Sequence, residues 1–366
     1  MEKMIAAGMN IALLNLSFGT LEEHEETIKL LRQAAKNYSA RIGKNYPLAI
    51  AASLPGKKIR TGFISDLDIL VASFVNSSNG ITELRYLLGE KGKKIAIVAN
   101  IQTIEGFRNF DDIMSVTNGI MITRQELGSD ITPKKLVIAQ KNMIARANKA
   151  NVAVCVSAHL LSSMRYHEMP LRAELLDIAN CILDGADVLM LSAETAVGLY
   201  PGKTVQCMAN TCKEAEACIW TKQVFLDLVD KTLLPCDQIT GTAIAAVMAA
   251  QRSIAAAIIV VTTSGKSAQV LSKYKPRCPI IAVTRYAAVA KQLHLWRGVI
   301  PLIYEAEPAS DWHMDVASRV NFCIFWAMEQ GFVRTGDPLV VISGWKPESG
   351  HTNTMRITYA PADTAS

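Results

Sequence analysis

The chain has 366 residues and a mass of 39.9 kDa, too long for one ordinary core, so two or more domains are expected. Half of its residues are hydrophobic and 19% are charged, with a mean hydropathy of +0.20, which excludes disorder over any long stretch. A net charge of +5, aromatics at 6% and the lack of a lysine or arginine block argue against nucleic acid as a partner.

Residues 2–7 read as the end of a helix. Seven short apolar runs follow in the first half, at 9–16, 47–54, 67–74, 94–101, 119–124, 152–158 and 186–192. They are unbroken rather than alternating, the mark of parallel strands buried on both faces. Helical stretches are expected at 21–38, 80–89, 133–149, 170–184 and 201–219. Repeated β-α units imply a parallel sheet with helical crossovers. Seven strands are counted where a closed barrel would use eight, and one β-α unit is missing from the front of the series. The connection at 55–66, with Gly56 and Gly62, is short for a parallel crossover and has no helical period.

The pattern changes near Trp220. Residues 226–234 lead into a helix at 241–254, followed by strands at 256–263, 279–284 and 299–304. A long helix is expected at 315–330 and strands at 337–342 and 355–359, an open α/β domain. The division expected is therefore 1–219 and 220–366.

No apolar window has the length of a bilayer span; 240–257 carries Gln251 and Arg252 and reads as a packed helix, so no membrane partner is expected. No basic-then-apolar leader opens the chain, which points to a cytoplasmic protein. The eight cysteines form no C-x-x-C pair and read as mostly buried free thiols. The histidines are scattered without metal-site spacing, and His159, with no partner carboxylate in view, reads as solvated or satisfied rather than catalytic.

Asn15, Ser17 and Gly19 end the first strand, and Ser192, Glu194 and Thr195 end the seventh. Polar groups at strand C-termini mark the site end of a β/α barrel. The segments 8–19, 59–62, 184–201, 262–268, 279–285 and 345–356 occur in the order found in pyruvate kinase, and nearly the whole chain resembles that family. The resemblance implies an α/β protein: an incomplete TIM-type (β/α) barrel over 1–219 and an open α/β C-terminal regulatory domain over 220–366. It accounts for the missing first strand and for the short 55–66 link, where the family inserts a β-barrel lid domain.

What the resemblance implies for the site is read position by position. The family's first-strand arginine is Leu13. The K⁺ oxygens match Asn15 and Ser17, but the K⁺ aspartate and threonine are Ser53 and Leu54. A phosphate-contacting arginine is kept as Arg60. The lysine supporting the transferring phosphoryl group is Asn100, and the Mg²⁺ glutamate is Gln102. The second Mg²⁺ carboxylate becomes Glu126, one methylene longer, beside Gln125 in place of a glycine. The threonine associated with proton transfer is Ala158. Phosphoryl transfer needs cations around the moving group and oxygen ligands for metal, so these changes fall on the chemistry itself.

In the second domain, Thr262, Ser264, Gly265, Lys266 and Ser267 follow a strand and resemble the family's effector phosphate loop; the competing reading is a plain turn capped by Ser264. Trp312 and Arg319 match residues that contact the second phosphate of fructose 1,6-bisphosphate, while Thr263 and Glu348 depart from the pattern. The expected function is that of a catalytically impaired pyruvate kinase paralogue that binds Mg²⁺, K⁺, ADP or ATP and phosphoenolpyruvate weakly or not at all. It is expected to assemble with itself or with active pyruvate kinase subunits. The alternative is an active pyruvate kinase represented by an incomplete isoform.

Overall fold

The computed structural model describes residues 1–54, 66–346, 350 and 352–362. The chain divides into two compact units, Met1–Ile219 and Trp220–Ser366.

The first unit opens with α1 (Glu2–Ala6) and β1 (Ile11–Asn15). Then comes α2 (Leu21–Ile42), which starts at a capping box in which Thr20 Oγ1 accepts the Glu23 N–H and Glu23 accepts the Thr20 N–H. It ends at Gly43, whose φ of 70° suits glycine. Its buried Ile28, Leu31, Ala34 and Ala35 recur at helical spacing and face the sheet. Next are β2 (Ala49–Ser53), β3 (Ile69–Ala72), α3 (Ser78–Gly92) and β4 (Ala96–Ile101). Two short helices, α4 (Ile104–Arg108) and α5 (Phe110–Val116), precede β5 (Gly119–Thr123). The unit continues with α6 (Arg124–Asp130), α7 (Pro133–Ala150), β6 (Ala153–Ser157), a 3₁₀ turn at Ser162–Arg165 and α8 (Arg172–Asp184). It closes with β7 (Val188–Met190), α9 (Ala193–Ala196) and α10 (Pro201–Ala217).

All seven strands are parallel and lie in chain order, β1 to β7, the order of a β/α barrel, with β1 and β7 as the two edges. The central strands are buried on both faces: Ile97, Ala99, Ile120, Ile122, Val154 and Val156 are fully buried in one cluster, and Val98, Met121 and Cys155, which point to the opposite face, are buried as well. Each buried Val or Ile side chain contributes about 1.5–3 kcal/mol by leaving water. The edges are less covered: β7 is half-buried throughout, and Leu13 on β1 is half-buried on the face it shares with Asn15. α4, α5 and α6 were not anticipated; each is too short to show an amphipathic period.

The second unit contains α11 (Thr221–Asp230), α12 (Gln238–Ser253), β8 (Ala257–Val261) and α13 (Lys266–Lys273). Then come β9 (Ile280–Thr284), α14 (Ala287–Gln292), β10 (Val299–Ile303), α15 (Trp312–Glu329), β11 (Pro338–Gly344) and β12 (Thr352–Tyr359). The sheet order is β10-β9-β8-β11-β12, parallel except for the antiparallel β11–β12 pair. The open α/β reading holds, with two differences. α15 begins three residues earlier than its apolar period suggests, because Asp311 caps it by accepting the His313 N–H. The 226–234 segment is also largely helical, as α11. Among the described residues no helix is long and apolar enough to cross a membrane.

All eight cysteines are free, and only Cys155, Cys181 and Cys323 are fully buried; Cys218 and Cys236 are exposed, unlike the expectation from their apolar surroundings. Burial pushes the thiol of Cys155 up to about 12 and that of Cys181 up to about 11, which leaves both inert as nucleophiles.

Candidate functional site

Register places the polar strand ends of the first unit side by side. Asn15 on β1 pairs with Ser53 on β2, which pairs with Val71 on β3. Thr123 on β5 pairs with Ser157 on β6, and Ser157 pairs with Met190 on β7. Arg60 lies outside the described residues; the other matched positions of this unit fall at one end of the sheet.

At the β1–β2 end the oxygens already serve the chain. Asn15 Oδ1 accepts the Ser17 N–H at 3.0 Å, forming a local turn. Ser73 Oγ donates to the Leu54 carbonyl at 2.9 Å and lies 3.4 Å from Ser53 Oγ. These groups are neutral, and among the described residues no carboxylate side chain joins them by a hydrogen bond.

At the β4–β6 end neutral side chains form a hydrogen-bonded chain. Thr123 Oγ1 donates to Asn100 Oδ1 at 2.6 Å, so the 3.1 Å contact with Ser157 has Ser157 Oγ as donor. Asn100 and Ser157 are both buried. Gln102, also buried, accepts the Phe74 N–H at 2.7 Å, and Phe74 sits at φ 54°. Thr103 Oγ1 donates to Asn76 Oδ1 at 2.5 Å and accepts the Gly106 N–H, capping α4. Glu126 is half-buried on α6, and its Oε2 is shielded from solvent without a hydrogen-bond partner among the described residues. Among the described residues no group of three or more His, Cys, Asp or Glu side chains is placed to hold a metal ion.

Ala158 follows β6 with φ 72°, and His159 and Leu161 are also left-handed, at 56° and 53°. Such conformations cost side-chain-bearing residues energy and persist only when the surroundings enforce them. Arg124 does so here. Its Nε and Nη2 donate to the Ala158 carbonyl at 3.0 and 2.5 Å, and its Nη1 donates to both oxygens of Asp177 at 2.8 and 2.7 Å. His159 itself is exposed. Thr123, Ser157, Ser73 and the Arg124–Asp177 pair were not singled out by sequence reasoning. Thr123 ends a strand three residues before Glu126, which was the available signal.

The second unit carries a separate pocket lined by Thr262, Thr263, Ser264, Lys266, Ser267, Trp312, Arg319, Lys346 and Thr352. The structure thus brings together every matched residue of the phosphate loop, with Gly265 as the N-cap of α13. Ser264 is exposed and does not cap the helix; Gly265 occupies that position at φ 82°, and its N–H donates to Thr262 Oγ1 at 2.9 Å. The turn reading of this motif therefore needs a different residue from the one expected. Ser267 Oγ lies 2.7 Å from Thr352 Oγ1, and Trp312 Nε1 donates to the Gly344 carbonyl at 3.0 Å. Arg319 is 5% exposed, its guanidinium stacked 5.7 Å from the Trp312 ring centre. Hydroxyls, a helix start and cations around one concavity suit an anion. Glu348 lies outside the described residues.

The family profile described as pyruvate kinase, barrel domain, matches residues 1–68 and 56–205, and the one described as pyruvate kinase, alpha/beta domain, matches residues 241–358. The human pyruvate kinase PKLR is 44% identical over 87% of this chain, which spans 56% of that relative. The Candida albicans pyruvate kinase is 40% identical over 98% of the chain and 73% of the relative. Pyruvate kinase 1 of Saccharomyces cerevisiae is 39% identical over 97% and 73%. The chain therefore covers little more than half of the human relative's length and about three quarters of the fungal ones. With two domain profiles matched in order and such identity across both units, the chain belongs to the pyruvate kinase family.

Proposed function

We propose that the chain is a pyruvate-kinase-like protein whose phosphoenolpyruvate-to-ADP phosphoryl transfer is weak or lost. The observation that carries this reading is the neutral, internally bonded state of the strand ends. Asn100 and Gln102 stand where the family has a lysine and a Mg²⁺ carboxylate, and their carbonyl oxygens accept Thr123 O–H and Phe74 N–H. Leu13 offers no charge, and Ala158 has no hydroxyl. A divalent ion and K⁺ in the family's site would polarise the phosphoryl oxygens, but the donor set here suits them poorly. Mg²⁺ asks for closely placed anionic oxygens in octahedral array, and Glu126 is the one retained carboxylate. Removing a single electrostatic stabiliser of a transition state costs ~10²–10³ in rate, and several are changed together. ADP or ATP would meet the same neutral surface.

The second unit keeps more of the family's chemistry, and its pocket is read as a phosphate-ester site that takes fructose 1,6-bisphosphate. Assembly with copies of itself or with active pyruvate kinase subunits is supported by apolar side chains left in solvent. On edge strand β12, Met355, Ile357 and Tyr359 share one face and are 37%, 47% and 67% exposed. A cytoplasmic location accords with a glycolytic family.

Purified protein in a coupled assay should form pyruvate from phosphoenolpyruvate and ADP at least a hundredfold more slowly than an ordinary pyruvate kinase, a margin that one lost stabiliser already supplies (~10²–10³). A rate within that hundredfold overturns the proposal. The second reading is an active pyruvate kinase represented by an incomplete sequence, and about 40% identity over nearly the whole chain to enzymes of that name favours it. Genomic sequence flanking the codons for Met1 and for the 61–66 segment separates the two. Added segments could restore a strand or a lid, but they leave Leu13, Asn100, Gln102 and Ala158 unchanged.

A further inference from the structure

Beside the pocket of the second unit lies a buried cluster of three charged side chains. Asp315, in the first turn of α15, is 3% exposed. Its Oδ1 accepts Arg285 Nη2 at 2.5 Å and the Ala309 N–H at 3.3 Å, and its Oδ2 takes Nη2 of Arg319, one helical turn further on. Arg285 immediately follows β9; its Nη1 donates to the Ala306 carbonyl, and its guanidinium lies 5.1 Å from the Tyr304 ring centre. Two guanidiniums thus share one carboxylate.

The cluster is one negative charge short. Nε of both Arg285 and Arg319 is shielded from solvent and has no hydrogen-bond partner among the described residues. Buried cations left without full pairing are costly, and each unsatisfied donor calls for an explanation such as an absent ion. Burial lowers the Arg319 guanidinium's pKa from its ordinary value; Asp315 opposes the shift and Arg285 adds to it. Arg319 lines the pocket and Arg285 does not.

We propose that Arg285 and Asp315 are positioning residues for a phosphate ester in this pocket, and that its negative charge completes the cluster and tightens the 305–311 segment onto α15. The proposal rests on the pocket being an anion site and adds how that site is charged and what it controls. Arg319 offers its free donors to the phosphate while Nη2 stays on Asp315. Arg285, held by the same carboxylate, supplies the second positive charge from behind. Through the Ala306 carbonyl and the Ala309 N–H, the pair fixes the segment between β10 and α15. When the pocket fills, repulsion between the two guanidiniums is offset, and both contacts to that segment strengthen.

The test uses the full chain with fructose 1,6-bisphosphate as the probe, calorimetry for affinity and amide hydrogen exchange for the segment. In the wild type, saturation should slow exchange of the Ala309 amide about threefold or more. Arg285→Gln should lower affinity by about tenfold and abolish the slowing, whereas Arg285→Lys, which keeps the charge, should stay within about threefold of wild-type affinity. A role confined to packing would treat Gln and Lys alike. Binding with no change at Ala309, or unchanged affinity in Arg285→Gln, overturns the proposal and leaves the pocket's anion reading standing. No binding to the wild type overturns the anion reading and the proposal with it. The wild-type exchange measurement needs no variant, so a poorly folding Arg285→Gln does not rescue the idea.

Discussion

Gln102 Oε1 accepts the backbone N–H of Phe74 at 2.7 Å, at a residue whose φ is 54°. This side chain is therefore part of the wall: it satisfies a donor that the left-handed turn after β3 would otherwise leave unpaired. Gln102→Leu should destabilise the chain by about 1 kcal/mol, because it removes the acceptor of a part-buried N–H. Gln102→Glu should fold nearly as well as the wild type, since a carboxylate accepts the same hydrogen bond. Denaturant melts of the two variants compare them directly; a harmless Gln102→Leu would show that the contact contributes nothing.

Divalent-ion binding follows from the same geometry. Titration of the wild type with Mg²⁺ or Mn²⁺ should give no saturable heat below about 100 μM, because neutral Gln102 and the longer Glu126 do not offer a closely spaced anionic set. The double variant Gln102→Glu, Glu126→Asp should gain measurable affinity. Micromolar binding by the wild type that Glu126→Ala abolishes would contradict this account.

Arg124 holds the turn after β6 in place. Arg124→Ala should cost about 2–3 kcal/mol, since it removes a charge-assisted fork and leaves Asp177 and the Ala158 carbonyl without their partner. Arg124→Lys should recover only part of the loss, as one ammonium cannot span both acceptors. Ala158→Gly, in contrast, should lie within about 1 kcal/mol of wild type, relief at φ 72° being offset by the freer unfolded chain. Equal losses for Arg124→Ala and Arg124→Lys would mean that packing rather than the fork matters.

Acid should loosen the loop between the 3₁₀ turn and α8. Burial by itself would raise the pKa of Glu174, but hydrogen bonds from Ser163 Oγ and from the N–H groups of Ser163 and Leu171 outweigh it and hold the carboxyl below its ordinary value. A depressed carboxyl contributes stability that is present above its unfolded pKa, about 4.3, and is lost as pH falls through the folded value. Glu174→Gln should therefore be less stable than wild type at neutral pH, by about 1 kcal/mol after solvent screening is allowed for. The two should converge as pH falls through that depressed folded value. A stability difference that does not change with pH would sink this assignment.

Sequence patterning made the buried strands legible because most are apolar runs flanked by turns; β3 and β8 follow that rule throughout. Helices α4 and α6 escaped because five to seven residues hold too little period, and their starts are fixed by Thr103 and by the end of β5. At the site, residue identities were readable but partnerships were not. Nothing in the sequence says that Asn100 is bonded to Thr123, since that pair depends on the stagger of β4 against β5. The Arg285–Asp315 contact was equally hidden, spanning β9 and α15 across thirty positions.

The edges of the first sheet supply the last prediction. β1 and β7 each pair on one side only, and each carries aliphatic side chains that are not fully buried, among them Leu13 and Leu189. An edge strand has a row of backbone groups open to another strand, and flanking helices cannot supply in-plane partners for it. The 366-residue chain should therefore open from these edges well below its global unfolding free energy. Amides of Ile11–Asn15 and Val188–Met190 should exchange about a hundredfold faster than those of Ala96–Ile101, which sit between two neighbours. Partner binding or self-association should slow the edge amides, while β8, central in the second unit's sheet, stays protected either way. If β1 and β7 exchange as slowly as β4 in a monomeric sample, the two edges have found cover of their own and are not open.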